Sequence, residues 1–97
     1  MASSANIHAS DPSRVGMFEP VHGSAPPLAG KDLANPLAAV LTVGMLLTHL
    51  GWPDEEARLE ALVARAIAEN KCTRDVGGTL GTRAVGDWVV GELAHAF

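Results

Sequence analysis

The hydrophobic pattern separates an irregular first third of the chain from three helical segments. Residues 1–35 are rich in Ser, Pro, Gly and Asn and lack a sustained period apart from a short piece around 17–21, which predicts a loop, a short strand and another loop. Apolar residues then recur at helical spacing over about 36–50, 54–69 and 82–96. The first helix is apolar on nearly all sides, so we expect it to be covered on most of its surface.

The ends of the three helices carry local signals. Asn35 is a candidate cap for the first helix with Pro36 as its first residue, because a proline there gives up only an amide hydrogen that has no partner. Gly51 stands where a left-handed residue closes a helix. Asp54 and Thr82 are candidate caps for the second and third helices. Local sequence alone therefore predicts where each helix begins or ends.

Length and composition restrict the class of protein. The chain has 97 residues, 47% hydrophobic and 19% charged, which is typical of one globular domain with a modest core, or of part of one. Its formal net charge is −4 and its Lys and Arg are scattered, so nucleic acid is not expected as a partner. The longest apolar stretch is well short of the roughly 20 residues of a membrane span. A single cysteine and a start without a signal pattern favour a cytoplasmic protein.

No group of residues predicts catalysis or a metal site on its own. Three of the histidines, at 8, 49 and 95, lie neither four apart on one helix nor at a zinc-ligand spacing from Cys72, and we interpret them as surface or core histidines. Ser24 lacks the second glycine of a nucleophile elbow. We therefore expect this chain to contribute no catalytic residue and no metal ligand.

The loop from His22 to Asn35 is the strongest candidate for binding. Small residues let backbone amides approach a ligand closely, and prolines stiffen the path; here they are Gly23, Ser24, Ala25, Ala29, Pro26 and Pro27. Asn35 can offer its amide to the edge of a base. The residues fit binding of an anion or a nucleotide, although composition alone favours an ordinary rigid surface loop by about two to one.

Several segments together resemble a known enzyme family. The ordered set "ASSANI", "MFEPVHGSAP", "AGK", "ANP", "HLG" and "TRDVGGTLGT" resembles the C-terminal part of the isocitrate/isopropylmalate/tartrate dehydrogenases, the metal-dependent β-decarboxylating dehydrogenases. The resemblance implies an α/β fold for the whole family. For this chain it implies a C-terminal fragment of the cofactor-binding domain over 1–97, built as an irregular nucleotide-binding loop with a short strand followed by about three helices.

The same resemblance implies an activity for the whole enzyme. It would be an NAD-dependent dehydrogenase, with NADP possible, that oxidises and usually decarboxylates a malate-type 2-hydroxy acid such as 3-isopropylmalate or tartrate. Mg²⁺ or Mn²⁺ would be held by other segments of the full enzyme, which is expected to be a homodimer. The partners implied for this chain are a nicotinamide nucleotide and the remainder of the enzyme or a full-length relative.

The family pattern assigns cofactor roles to matching positions of this chain. By that resemblance His22 would face the adenine or its ribose, and Asn35 would meet the adenine edge. Asp75 would close the adenosine pocket. The intervening loop would supply close backbone contacts and shape the path of the chain; its residues are Gly23, Ser24, Ala25, Pro26, Pro27 and Leu28.

Departures from the family pattern bear on the cofactor and on activity. Pro27 stands where NAD-using members carry a ribose-binding Asp, while Pro27, Leu28 and Gly78 stand where NADP-using members carry Lys, Tyr and Arg. The balance favours NAD. The family's catalytic Tyr and Lys and its metal-binding Asp residues belong to segments before this signature, and the chain has no Tyr, so we expect it to be inactive alone.

Two other classes of function remain open at this point. The chain could be a non-catalytic nucleotide-binding or docking module derived from such a dehydrogenase, with the apolar helix over about 36–50 as its docking surface. It could also be a helical interaction protein without a ligand.

Overall fold

The computed structural model describes residues 3–7, 11, 13–21 and 26–96, with side chains described as far as residue 94. Within these residues the chain forms two strands and three α-helices. They are β1 (Ser3–Asn6), β2 (Met17–Pro20), α1 (Leu37–His49), α2 (Pro53–Ala68) and α3 (Thr82–Ala96). Short 3₁₀ turns lie at Pro26–Leu28 and Arg74–Val76. A small sheet and three helices confirm the α/β character and the expected order of irregular region, strand and helices.

The strand β1 was not expected from the sequence. It pairs with β2 in antiparallel register, with Ser3 opposite Pro20 and Asn6 opposite Met17. Its four residues, SSAN, have little intrinsic preference for a strand. β1 therefore exists because β2 offers a pairing edge and because α1 packs on both strands, and neither cause is visible in a local window of sequence.

The C-terminal end of α1 confirms the role expected for Gly51. The Gly51 N–H donates to the Thr48 carbonyl over 3.0 Å and the Trp52 N–H to the Leu47 carbonyl over 2.8 Å, the two bonds of a Schellman motif. Gly51 has a φ of 102°, which glycine adopts without the steric cost other residues meet. Asn70 closes α2 in the same way, with a φ of 58°.

The N-terminal ends of the helices differ from the expectation. α1 begins at Leu37, one residue after Pro36, and α2 begins at Pro53, so Asp54 lies inside the first turn instead of capping it. Pro53 suits the first position of α2 because the fixed φ of proline matches the helix. Thr82 is the first residue of α3 and not its cap.

The chain divides into two compact units. One consists of Met1–His22 with Leu37–Ala61, the other of Gly23–Pro36 with Leu62–Phe97. In the first, α1 packs on the sheet, and the rings of Phe18 and His49 meet with centroids 5.3 Å apart. The buried core of the second comes from α2, α3 and the segment between them: Leu62, Val63, Ala66, Cys72, Val85 and Val89. No helix in the described part of the chain is long and apolar enough to cross a membrane.

Candidate functional site

The loop between the first 3₁₀ turn and α1 takes a tight, irregular path. Within it the N–H groups of Ala29 and Lys31 donate to the carbonyls of Pro26 and Leu28, each over 3.1 Å. Asp32 has a left-handed backbone with a φ of 57°. The path returns the chain towards the start of α3, which belongs to the same compact unit.

Three hydrogen bonds join this loop to the first residues of α3. The Thr82 N–H donates to the Asp32 carbonyl over 3.2 Å, and the Arg83 N–H donates to Asp32 Oδ1 over 2.8 Å. The Thr82 hydroxyl donates to the Ala34 carbonyl over 2.5 Å. The carboxylate of Asp32 therefore satisfies an amide of the first helical turn, the task that the sequence pattern assigned to Thr82.

Asn35 and Asp75 lie together although 40 positions separate them in the chain. The Asn35 Nδ2 donates to Asp75 Oδ2 over 3.1 Å. The Thr73 hydroxyl donates to Asp75 Oδ1. Hydrogen bonding by Thr73 is the largest effect and holds the pKa of the Asp75 carboxyl below its usual range; desolvation opposes it, and the hydrogen bond from Asn35 lowers the pKa further. Asp75 therefore carries its negative charge at neutral pH.

The turn that carries Asp75 is anchored by its own backbone. The Thr73 carbonyl accepts hydrogen bonds from the N–H groups of Val76, over 3.2 Å, and Gly78, over 2.9 Å. Thr73 is 1% exposed and Cys72 fully buried. A Cβ added at Gly78 would lie 2.0 Å from the Cys72 carbonyl oxygen. The turn is thus closed on itself so tightly that position 78 has no room for a side chain.

A cleft of about 500 Å³ opens between the loop at 28–34 and the start of α3. Leu28 and Leu33 supply apolar walls, while Asp32, Thr82 and Arg83 supply polar groups. An apolar cleft with a few fixed polar groups is the usual form of a small-molecule site. Of the residues predicted to bind the cofactor, Leu28 lines this cleft, and Asn35 follows directly after its last loop residue.

The predicted site residues fall into three groups. Asn35 and Asp75 are brought into direct contact. Pro26, Pro27 and Leu28 form the exposed 3₁₀ turn. The remaining four, at positions 22–25, lie outside the described residues. Their roles in binding stay predictions.

Two residues that make hydrogen bonds in this region were not predicted from the sequence. Thr73 stands two positions before Asp75 and donates to it, and a hydroxyl at that spacing from an Asp is a local pattern that could have identified it. Asp32 lies 51 positions before the amide that it caps, so no local pattern connects the two.

The described residues do not fit a metal site. No group of three or more His, Cys, Asp or Glu side chains among them is arranged to hold a metal ion.

Comparison with known proteins places the chain among dehydrogenases. The model of the family described as isocitrate/isopropylmalate dehydrogenase matches residues 1–89. The chain is 52% identical over 79 residues to the 3-isopropylmalate dehydrogenase of Novosphingobium aromaticivorans, covering 80% of this chain and 22% of that protein. It is 47% identical over 93 residues to the 3-isopropylmalate dehydrogenase of Rhodococcus erythropolis, covering 96% of this chain and 26% of that protein.

An archaeal relative extends the same similarity. The 3-isopropylmalate dehydrogenase of Methanothermobacter thermautotrophicus is 45% identical over 82 residues, which cover 84% of this chain and 24% of that protein. The chain spans about a quarter of the length of these curated relatives. No solved structure matches the chain.

Proposed function

Because the chain belongs to the isocitrate/isopropylmalate dehydrogenase family, we propose that it forms the cofactor-binding portion of an NAD-dependent dehydrogenase that oxidises and decarboxylates 3-isopropylmalate. The observation that carries the proposal is the pairing of Asn35 with Asp75. These residues come from separate segments, and both are positions to which the resemblance assigns contact with adenosine.

The chemistry of the pair suits a nucleoside. A carboxamide has both donors and an acceptor, so Asn35 can face the edge of an adenine while one of its amide hydrogens stays on Asp75. The lowered pKa of Asp75 keeps a carboxylate available to accept from ribose hydroxyls or from the exocyclic amine. Since Thr73 and Asn35 hold this carboxylate before any ligand arrives, little ordering cost would remain at binding.

Two features support NAD over NADP. An ionised Asp75 would repel the additional phosphate of NADP. Gly78, where NADP-using relatives carry an Arg, cannot hold a side chain in this backbone, because its Cβ would overlap the Cys72 carbonyl. Both features leave the unphosphorylated ribose of NAD as the better fit.

The substrate and the catalytic groups concern the whole enzyme, of which this chain would be one part. The relatives carry the name 3-isopropylmalate dehydrogenase, which favours this substrate over tartrate. In the proposed reaction the hydroxyl-bearing carbon of the 2-hydroxy acid gives a hydride to the nicotinamide while its hydroxyl loses a proton. The β-carboxylate of the resulting ketone then leaves as carbon dioxide, and the enolate that remains takes up a proton. The resemblance assigns the catalytic Tyr and Lys and the metal-binding Asp residues to segments before this one, so we propose that the chain alone is inactive.

Calorimetric titration of NAD and NADP into the purified chain tests the proposal, with circular dichroism of the same sample as a check of folding. We expect saturable binding of NAD and roughly tenfold weaker binding of NADP. Asn35→Leu should abolish the binding of NAD, because it removes the amide at nearly constant volume. Asn6→Leu makes the same change at an exposed strand position and should bind like wild type. A folded chain that binds neither nucleotide would contradict the proposal.

A docking role is the second candidate, and the outer face of α1 favours it. Val43 on α1 is 48% exposed and Leu50, directly after the helix, is 58% exposed in the first compact unit, and such apolar surface suits contact with another protein. We propose the remainder of the dehydrogenase, or a full-length homodimeric relative in the cytoplasm, as the partner. Sedimentation of the chain mixed with the Novosphingobium enzyme should show a complex, which Val43→Ser should weaken. Independent sedimentation of the two proteins would contradict docking.

A further inference from the structure

We propose that Asp32 is the positioning residue of the nucleotide site: it fastens the loop at 28–35 to the start of α3 and thereby sets Asn35 against Asp75. This inference rests on the proposed function. Asp32 itself need not touch the nucleotide, and its effect passes through Asn35, three positions further along the chain.

Asp32 makes two hydrogen bonds to successive amides of α3. Its carbonyl accepts from the Thr82 N–H and its Oδ1 from the Arg83 N–H. The first amides of a helix have no partner within the helix, and a carboxylate is also favoured by the positive end of the helix dipole. One residue of the loop thus supplies what two amides of the helix lack.

The backbone of Asp32 shows that this arrangement is imposed by its surroundings. A φ of 57° is unfavourable for residues other than glycine, although Asp and Asn tolerate it better than most. Such a conformation persists where the surrounding contacts over-determine it. Here the two amide bonds do so, and Gly81 completes the fit, since a Cβ at that position would lie 2.1 Å from Asp32 Oδ2.

Further hydrogen bonds connect the loop after Asp32 up to Asn35, the predicted ligand-binding residue. Two positions after Asp32, the Ala34 carbonyl accepts from the Thr82 hydroxyl over 2.5 Å, and the next residue is Asn35, whose amide reaches Asp75. Loss of the Asp32 carboxylate would release the first of these points. The fraction of chains with Asn35 in place would fall, and the apparent dissociation constant of the nucleotide would rise by the same factor.

Three substitutions of Asp32 separate positioning from folding, with NAD as the titrated probe. Asp32→Ala removes the carboxylate and should weaken NAD binding about tenfold, or about 1.4 kcal/mol. Asp32→Gly also removes it but accepts the left-handed backbone, so it should fold normally and still lose the same factor. Asp32→Asn retains an oxygen acceptor and tolerates this backbone, so it should bind within about twofold of wild type.

The matched control is Asp11→Ala in the other compact unit. Asp11 is also an exposed loop carboxylate that accepts from a backbone amide, that of Ser13 over 3.2 Å, so its removal changes the net charge equally. It should leave the affinity for NAD unchanged. Wild-type affinity in Asp32→Gly, or a loss in Asp32→Asn as large as in Asp32→Gly, would overturn the inference while leaving the proposed function intact. Absence of NAD binding by the folded wild-type chain would instead overturn the proposed function and this inference with it.

Discussion

Replacement of Gly78 by alanine should open the turn that carries Asp75. The added Cβ would lie 2.0 Å from the carbonyl oxygen and 2.7 Å from the sulfur of Cys72. Non-bonded carbon and oxygen atoms keep about 3.4 Å or more, so the two segments would have to separate by more than 1 Å. Cys72 is fully buried, and its carbonyl cannot swing away without loss of its own hydrogen bond.

The expected cost follows from the bonds that such a separation breaks. The Gly78 N–H donates to the Thr73 carbonyl over 2.9 Å, and the Leu80 N–H donates to the Cys72 carbonyl over 3.0 Å. Each bond contributes roughly 0.5–1.5 kcal/mol net, and residual overpacking adds about 1 kcal/mol or more. We expect Gly78→Ala to lower the free energy of unfolding by about 3 kcal/mol.

Urea unfolding followed by tryptophan fluorescence measures this change. Trp88 lies in α3, within the same compact unit as Gly78, and a Trp52→Phe background removes the signal of the other unit. Gly86→Ala is the matched control, because a Cβ at that helical position meets nothing within 4 Å. It should raise the free energy of unfolding by about 0.5–1 kcal/mol, the usual gain of alanine over glycine in a helix.

A Gly78→Ala chain as stable as wild type would refute the reasoning. It would show that the turn has freedom to move and that position 78 can accept a side chain, such as the arginine of NADP-using relatives. The same reasoning predicts that Gly78→Arg destabilises the chain at least as much as Gly78→Ala and does not improve the affinity for NADP.

The remaining predictions concern a titrating group, a core position and a helix end. Thr73→Val should raise the pKa of Asp75. A lowered pKa in the folded chain stabilises it above the unfolded-state value near 4, and this stabilisation is lost as the pH falls through the folded-state value. The free energy of unfolding of Thr73→Val should therefore decline less than that of wild type between pH 5 and pH 2, measured by urea unfolding. Val85→Ala, at a fully buried position, should cost about 2 kcal/mol, whereas Val90→Ala, 67% exposed on the same helix, should cost nothing in the same assay. Asn70→Ala should lower the melting temperature, because its φ of 58° disfavours alanine by about 1 kcal/mol, and Asn70→Gly should not.

Features within one helix or one turn followed from the sequence. The three helices lie within one residue of the expected bounds, since the spacing of apolar residues is a property of a single segment. Gly51 closes α1 as expected because a Schellman motif involves only neighbouring residues. The family assignment was also available, because it depended on the order of motifs along the chain.

Features that join distant segments required the tertiary structure. β1 has a sequence without strand preference and forms only against β2 and α1. Thr82, a residue typical of helix caps, is displaced from that role by Asp32, which lies 50 positions earlier and satisfies the Arg83 amide instead. Local propensities differ by only a few tenths to about 1 kcal/mol, so a well-placed partner from elsewhere in the chain overrides them.

The candidate site divides in the same way. The sequence by itself determined which residue types stand at 35 and 75 and, through the resemblance, their expected ligand. Only the tertiary structure decided that the Asn35 amide and the Asp75 carboxylate meet, and that Asp32 joins the loop before Asn35 to the start of α3. The physical reason is that hydrogen bonds and pKa values depend on distances of about 3 Å between atoms, and the fold, not the spacing along the chain, sets those distances.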